Sequence, residues 1–216
     1  MIDRAIAGIL GPDKMSVIFN DKERLLGLVS EGKGIIFLMA HVGCWQLALS
    51  ALHLLNIRIN MVIHREEGDV DLHYFEHQSM PWPYRIIDPE GAFGGTLEMI
   101  DALKKGEALC MMGDRMFGNL KNTVTVNFLG ENALFPFSAI KIASASGSPI
   151  VILFPYKKGA TEFGLELAKI IRVPDGLGRT GDKFLPYIKE FILTLEKFTA
   201  EHPFQFFNFY DIWKRI

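Results

Sequence analysis

His41 and Gln46 occupy the place in this chain that most invites chemistry. The histidine closes an unbroken apolar run, Ile35-Ile36-Phe37-Leu38-Met39-Ala40, and the glutamine follows five positions later. A free histidine titrates near neutrality, so it can take a proton from a substrate hydroxyl and return it within one turnover. Residue 46 lies about 140° around an ideal helix from residue 41, so the two cannot share a helical face. If they meet, His41 stands in the loop before a helix and Gln46 reaches back from its first turns. A carboxylate at that position would hold the imidazole tautomer and stabilise the imidazolium. A glutamine carbonyl can accept the Nδ1 proton but brings no charge, so the expected base is a weaker one. The plain alternative is a structural histidine bonded within its turn.

Four further residues join them as candidates. Asp114 ends the run Glu107–Met112 in Met112-Gly113-Asp114-Arg115. It either orients the histidine, binds substrate, or caps its own turn. Arg65, after the segment Ile57–Ile63, can bind a phosphate or carbonyl oxygen, as can Arg115. Trp45 is the remaining candidate for binding substrate. His73 and His77 are spaced four apart on an expected helix, which can hold zinc, but the sequence places no third ligand and a solvated face reads better. Cys44 lies in apolar surroundings that favour packing over a thiolate nucleophile. Gly91, Gly94 and Gly95 precede a helix and match neither the dinucleotide nor the P-loop fingerprint.

The elements that must position these residues alternate. Strands are expected over Gly34–Ala40, Ile57–Ile63, Tyr84–Ile87, Glu107–Met112, Thr123–Phe128, Pro149–Tyr156 and Phe163–Ile171. The last two form an antiparallel hairpin through Lys158-Gly159. Helices are expected over Gly43–Leu55, Asp69–Gln78, Thr96–Lys105, Phe137–Ser146 and Lys183–Glu201, with short amphipathic helices in the first thirty residues. The run Ile35–Ala40 has no polar break, as in a strand covered on both faces of a parallel sheet. The pattern is that of an α/β protein, with a mostly parallel central sheet and helices on both faces. In such sheets chemistry gathers at the carboxyl ends of the strands, which is where His41 and Asp114 both fall.

Composition narrows the function classes. A chain of 216 residues suits one domain, with residues 1–32 as a helical preface. A formal net charge of −2 gives no reason to expect nucleic acid. Two cysteines in apolar runs, Cys44 and Cys110, fit a reduced compartment better than a disulfide. No apolar run reaches the ~18 residues of a membrane span, so a soluble or peripheral protein is expected. Seventeen phenylalanines hint at an exposed apolar surface for lipid or a partner, beyond those that simply fill the core. Lys104, Lys105, Lys157, Lys158, Lys214 and Arg215 are the basic residues expected to edge it.

Together these segments resemble the lipid A late acyltransferases of the lysophospholipid acyltransferase superfamily, from about Gly34 to the last residues. AHVGCWQLA is similar to the family's H-x4-D/E segment, with Gln46 where the acid belongs. LKKGEALCMMGDRMFG resembles the strand that delivers an aspartate and then a glycine. VNFLGENALFPFSAIKIASASGSPIV resembles the region of a helix and the following strand. EHPFQFFNFYDIW resembles the terminal Pro-Glu-Gln-aromatic run, with Phe204 in place of glutamate. The resemblance implies His41 as the base that deprotonates an acceptor hydroxyl, which then attacks an acyl carrier protein or coenzyme A thioester. It maps the family's arginine loosely onto Arg65 and its later aspartate onto Asp114. It implies a lipid or glycolipid acceptor, no cofactor beyond the thioester substrate, and work at the cytoplasmic face of a bacterial inner membrane. The family's N-terminal membrane anchor has no counterpart here, as in an anchorless form or a piece of a longer protein. An acyl-chain or lipid-binding relative without turnover, and a lipid hydrolase, are the other readings.

Overall fold

Five apolar residues in a row, Ile35–Met39, are all buried and form the strand on which the fold is centred. Their side chains alternate between two cores, as the pleat requires. Ile36 and Leu38 enter one, while Ile35, Phe37 and Met39 enter the other. The computed structural model describes residues 16–45, 48, 51–64, 84–116, 122–209 and 211–213.

In chain order the strands are β1 Ser16–Ile18, β2 Ile35–Met39, β3 Ile59–Val62, β4 Tyr84–Ile87, β5 Ala108–Met112, β6 Thr123–Phe128, β7 Glu131–Pro136, β8 Ile150–Lys157 and β9 Glu162–Ile171. Seven of them make one sheet in the order β1-β9-β8-β2-β5-β3-β4. β8, β2, β5, β3 and β4 run parallel. β9 returns antiparallel to β8 and pairs parallel with β1 at the edge. The described helices are α1 Lys22–Ser30, α2 Thr96–Lys104, α3 Ser138–Ser146 and α4 Gly181–Glu201.

The helices cover both faces of the sheet. Met99, Ala102 and Leu103 of α2, Ala139, Ile140 and Ala143 of α3, and Phe184, Ile188, Phe191 and Leu195 of α4 pack in the core that receives Ile36 and Leu38. Leu25 and Leu28 of α1, with Ala48, Leu52 and Leu55, close the opposite face. The helical residues Trp45, Ala48 and Ala51 lead into a tight 3-10 turn over Leu52–Leu55, within the helix expected after Gly43. α3 stops at Gly147, whose φ of 70° is the left-handed conformation a helix end favours.

Two expectations are corrected. Ser16–Ile18, expected as helix, is a short strand paired with Glu162–Gly164. Its Ser-Val-Ile content suits a strand, and the exposed edge of β9 offers it backbone partners. The strand Glu131–Pro136 was not expected at all. It pairs antiparallel with β6 through Leu129 and Gly130, both at positive φ. A two-residue turn of that kind usually carries Asn or Asp first, so leucine concealed it. The segment 69–78, with His73 and His77, lies outside the described residues.

Cys110 of β5 shows what burial does to an ionisable group in this core. Burial pushes its thiol up to about 12, because a thiolate there would lose its water. Below pH ~8.5 the thiol is neutral folded or unfolded, and the neutral form suits the core. Above that the unfolded chain sheds the proton first, so stability should fall as pH climbs toward about 12. Urea midpoints taken from pH 8 to ~11 should therefore decline less steeply in Cys110→Ala than in the parent.

Candidate functional site

β2 and β5 are neighbours in parallel register, with Met39 opposite Met112. His41 and Asp114 each lie two residues beyond that pair, so the register alone delivers both side chains to one point on the carboxyl edge. The ladder continues past the strands, since the Gly113 N–H donates to the Met39 carbonyl at 2.8 Å. Gly113 must be small: a Cβ there would press on Leu38 Cδ1 and on the Phe191 ring.

The histidine and the aspartate are bonded through side chain and main chain together. His41 Nδ1 lies 2.9 Å and 3.0 Å from the two Asp114 carboxylate oxygens. The His41 backbone N–H donates to Asp114 Oδ2 at 3.0 Å. Asp114 is fully buried and the His41 side chain is 14% exposed. An ionised carboxylate is an acceptor only, so against it Nδ1 is the nitrogen that carries the hydrogen. The unprotonated lone pair therefore sits on Nε2. The arrangement holds one imidazole tautomer and keeps a negative charge beside the ring, ready for a proton arriving at Nε2. Trp45 stands edge-on to the imidazole, with ring centroids 5.3 Å apart.

The loop that carries His41 is pressed between β8 and a segment that follows α4. Gly43 has a φ of 50°, and a Cβ on it would overlap the Pro155 carbonyl. On the other side, Val42 forms an antiparallel bridge with Phe206. The Gly43 N–H donates to the Gln205 carbonyl at 2.7 Å, and the Phe207 N–H donates to the His41 carbonyl at 2.8 Å. Arg115 Nη2 donates to the Phe207 carbonyl at 2.8 Å, which fixes one end of that guanidinium on the main chain. The part played by Pro203–Phe209 was legible in the sequence only as a resemblance. Its pairing depends on a contact between distant segments that no local periodicity announces.

The structure thus brings His41, Asp114, Trp45 and Arg115 together. Gln46 and Arg65 lie outside the described residues. The glycine loop before α2 is a turn closed on itself. The Glu90 N–H donates to Asp88 Oδ1, the Gly91 N–H to the Asp88 carbonyl, and the Gly94 N–H to the Gly91 carbonyl. The basic residues expected on one surface divide between two ends of the sheet. Lys157 closes β8 at the carboxyl edge near His41, whereas Lys104 and Lys105 precede β5 at the amino edge. Lys214 and Arg215 lie outside the described residues. Among the described residues no group of acidic, histidine or cysteine side chains has the makings of a metal site. Among the same residues no helix is long and apolar enough to cross a membrane.

The family model described as bacterial lipid A biosynthesis acyltransferase matches residues 4–215. No curated protein sequence matches the chain. Among solved structures, the chain is matched to the 1-acyl-sn-glycerophosphate acyltransferase PlsC from Thermotoga maritima. It shares 14% sequence identity, with a TM-score of 0.46, over 90% of this chain and 75% of that one. The match to the family model spans nearly every residue, and the chain belongs to the family of bacterial lipid A biosynthesis acyltransferases.

Proposed function

We propose that this acyltransferase moves a fatty acyl group from an acyl carrier protein or coenzyme A thioester to a hydroxyl of a glycolipid, with His41 as general base. The bond between His41 Nδ1 and the buried Asp114 carboxylate is the observation that carries this reading. Nε2 takes the proton of the acceptor hydroxyl while its oxygen attacks the thioester carbonyl. The tetrahedral intermediate then collapses, the C–S bond breaks, and the leaving thiolate receives the proton from the imidazolium. Asp114 keeps its negative charge throughout and stabilises the imidazolium formed in between. The thioester is consumed as a substrate, and these steps call on no cofactor.

A lipid acceptor has to be approached from a bilayer. Beside the His41 loop, Phe204 and Phe209 are 92% and 87% exposed. Phe209 pairs with the half-exposed Phe207, ring centroids 6.2 Å apart, and the Phe207 amide is bonded to His41. Phenyl rings so placed favour contact with a membrane surface, and we assign the protein to the cytoplasmic face of the inner membrane as a peripheral enzyme. Sucrose-gradient flotation with vesicles of bacterial lipid should carry the parent upward and leave Phe204→Ser/Phe209→Ser at the bottom. Equal flotation of the two would place the lipid contact elsewhere.

Transfer itself is tested with radiolabelled acyl thioester and bacterial lipid extract. Label in lipid supports the proposal, label in free fatty acid makes the protein a hydrolase, and tight binding without either makes it a binding protein. His41→Ala should abolish transfer. Asp114→Asn removes the charge and can set the wrong tautomer, which in serine proteases costs about four orders of magnitude in turnover. Gln46→Glu should change the rate only modestly, because Asp114 already supplies the carboxylate. A large gain from Gln46→Glu, starting from a nearly inert parent, would overturn that assignment of roles.

A further inference from the structure

Gln205 is bonded to both the His41 loop and the end of β8, at more points than packing requires. Its side-chain Oε1 accepts from the Lys157 N–H at 2.7 Å, and its Nε2 donates to the Lys157 carbonyl at 3.1 Å. One amide thus satisfies both main-chain groups of a single residue, which no carboxylate or hydrocarbon of the same length can do. Its own carbonyl accepts the Gly43 N–H at 2.7 Å, and its own N–H donates to the His202 carbonyl at 2.9 Å. Two residues on, the Phe207 N–H reaches the carbonyl of His41 itself. Lys157 follows Pro155, whose carbonyl is the surface against which Gly43 is pressed. The side chain of Gln205 therefore sets the gap into which residues 41–43 fit.

We propose that Gln205 is a positioning residue for His41: it ties the segment Pro203–Phe209 to β8 and so fixes the main chain from which the imidazole is aimed. The inference rests on the reading of His41 as the base. The Asp114 carboxylate holds the ring at Nδ1, but a ring is aimed only if its backbone is fixed too. In this fold that backbone is held on one side by Asp114 and on the other by the strap that Gln205 pins. A base displaced by about an ångström loses rate on the order of a hundredfold.

Gln205→Met has similar length and neither hydrogen bond, and Gln205→Glu keeps the acceptor for the Lys157 N–H while losing the donor. Transfer kinetics should show kcat falling ~100-fold in Gln205→Met, with a smaller change in KM through the strap's phenyl groups and the Arg115 bonded to it, and Gln205→Glu falling between. In proton NMR the His41 Nδ1–H resonance, identified by its loss in His41→Ala, should broaden in Gln205→Met and sharpen again in Gln205→Glu. A folded Gln205→Met with parental kcat and an unchanged resonance would overturn the proposal. So would a rise in KM alone. If Gln205→Met does not fold, the kcat and resonance of Gln205→Glu decide in the same way. Full transfer by His41→Ala would remove the base from the mechanism, while the resonance would still report whether Gln205 orders the imidazole.

Discussion

A carboxylate with no exposed surface, at the end of a central strand, is the constraint on which this fold turns. Taking an ionised Asp114 out of water costs several kcal/mol unless donors surround it, so its position is tolerable only where hydrogen bonds converge. His41 supplies two of them, the ring Nδ1–H and its own backbone N–H. The sheet in turn has to deliver both residues to one place. Adjacent parallel strands do so without a turn or an insertion, because Met39 and Met112 are already paired when the two chains leave the sheet. Gly113 is part of the same requirement. It keeps the second chain close against Leu38 and Phe191, and any side chain there would lever Asp114 away.

That pairing also bears on the glutamine at position 46. The usual argument for an acid near a catalytic histidine is that it fixes the tautomer and offsets the positive charge. Both effects act through Nδ1, which has one hydrogen to give. With Asp114 buried against that nitrogen at 2.9 Å, the hydrogen is already committed to a charged acceptor. On the proposed reading of His41 as the base, the carboxylate that the sequence pattern lacks at position 46 is supplied by Asp114.

Much of the fold was legible because it rests on local signals. The unbroken run Ile35–Ala40, the left-handed glycine at 147 and the long apolar periodicity up to Glu201 each declare an element without knowledge of the rest. His41 and Asp114 could be assigned to one sheet edge from parallel topology, though not to one hydrogen bond. Register is a property of two strands and is written in neither. Glu131–Pro136 was missed because Leu129 takes a conformation that leucine seldom adopts, its N–H bonded to Glu196 of α4 at 2.6 Å. A tertiary contact there overrides local preference. Ser16–Ile18 was misread for a related reason, since three residues are too few to show a period and only the open edge of β9 makes them a strand.

The site divides its labour between side chains and main chain. The side chains of His41 and Asp114 come from the middle of the sheet, where two paired strands are packed on both faces. The main chain of residues 41–43 has left the sheet, and its helix begins only at Trp45. What holds it is a short antiparallel crossing by a segment far away in sequence, at Val42 and Phe206. Val42 is buried in the core there, and hydrogen bonds to the backbone on either side of it complete the hold. Glycine at 43 is the corollary: the loop can approach the Pro155 carbonyl and the strap together only with no side chain between them. On the proposed reading of His41 as the base, its aim is set by the Asp114 carboxylate on one side and, on the other, by main-chain and amide groups that do no chemistry of their own.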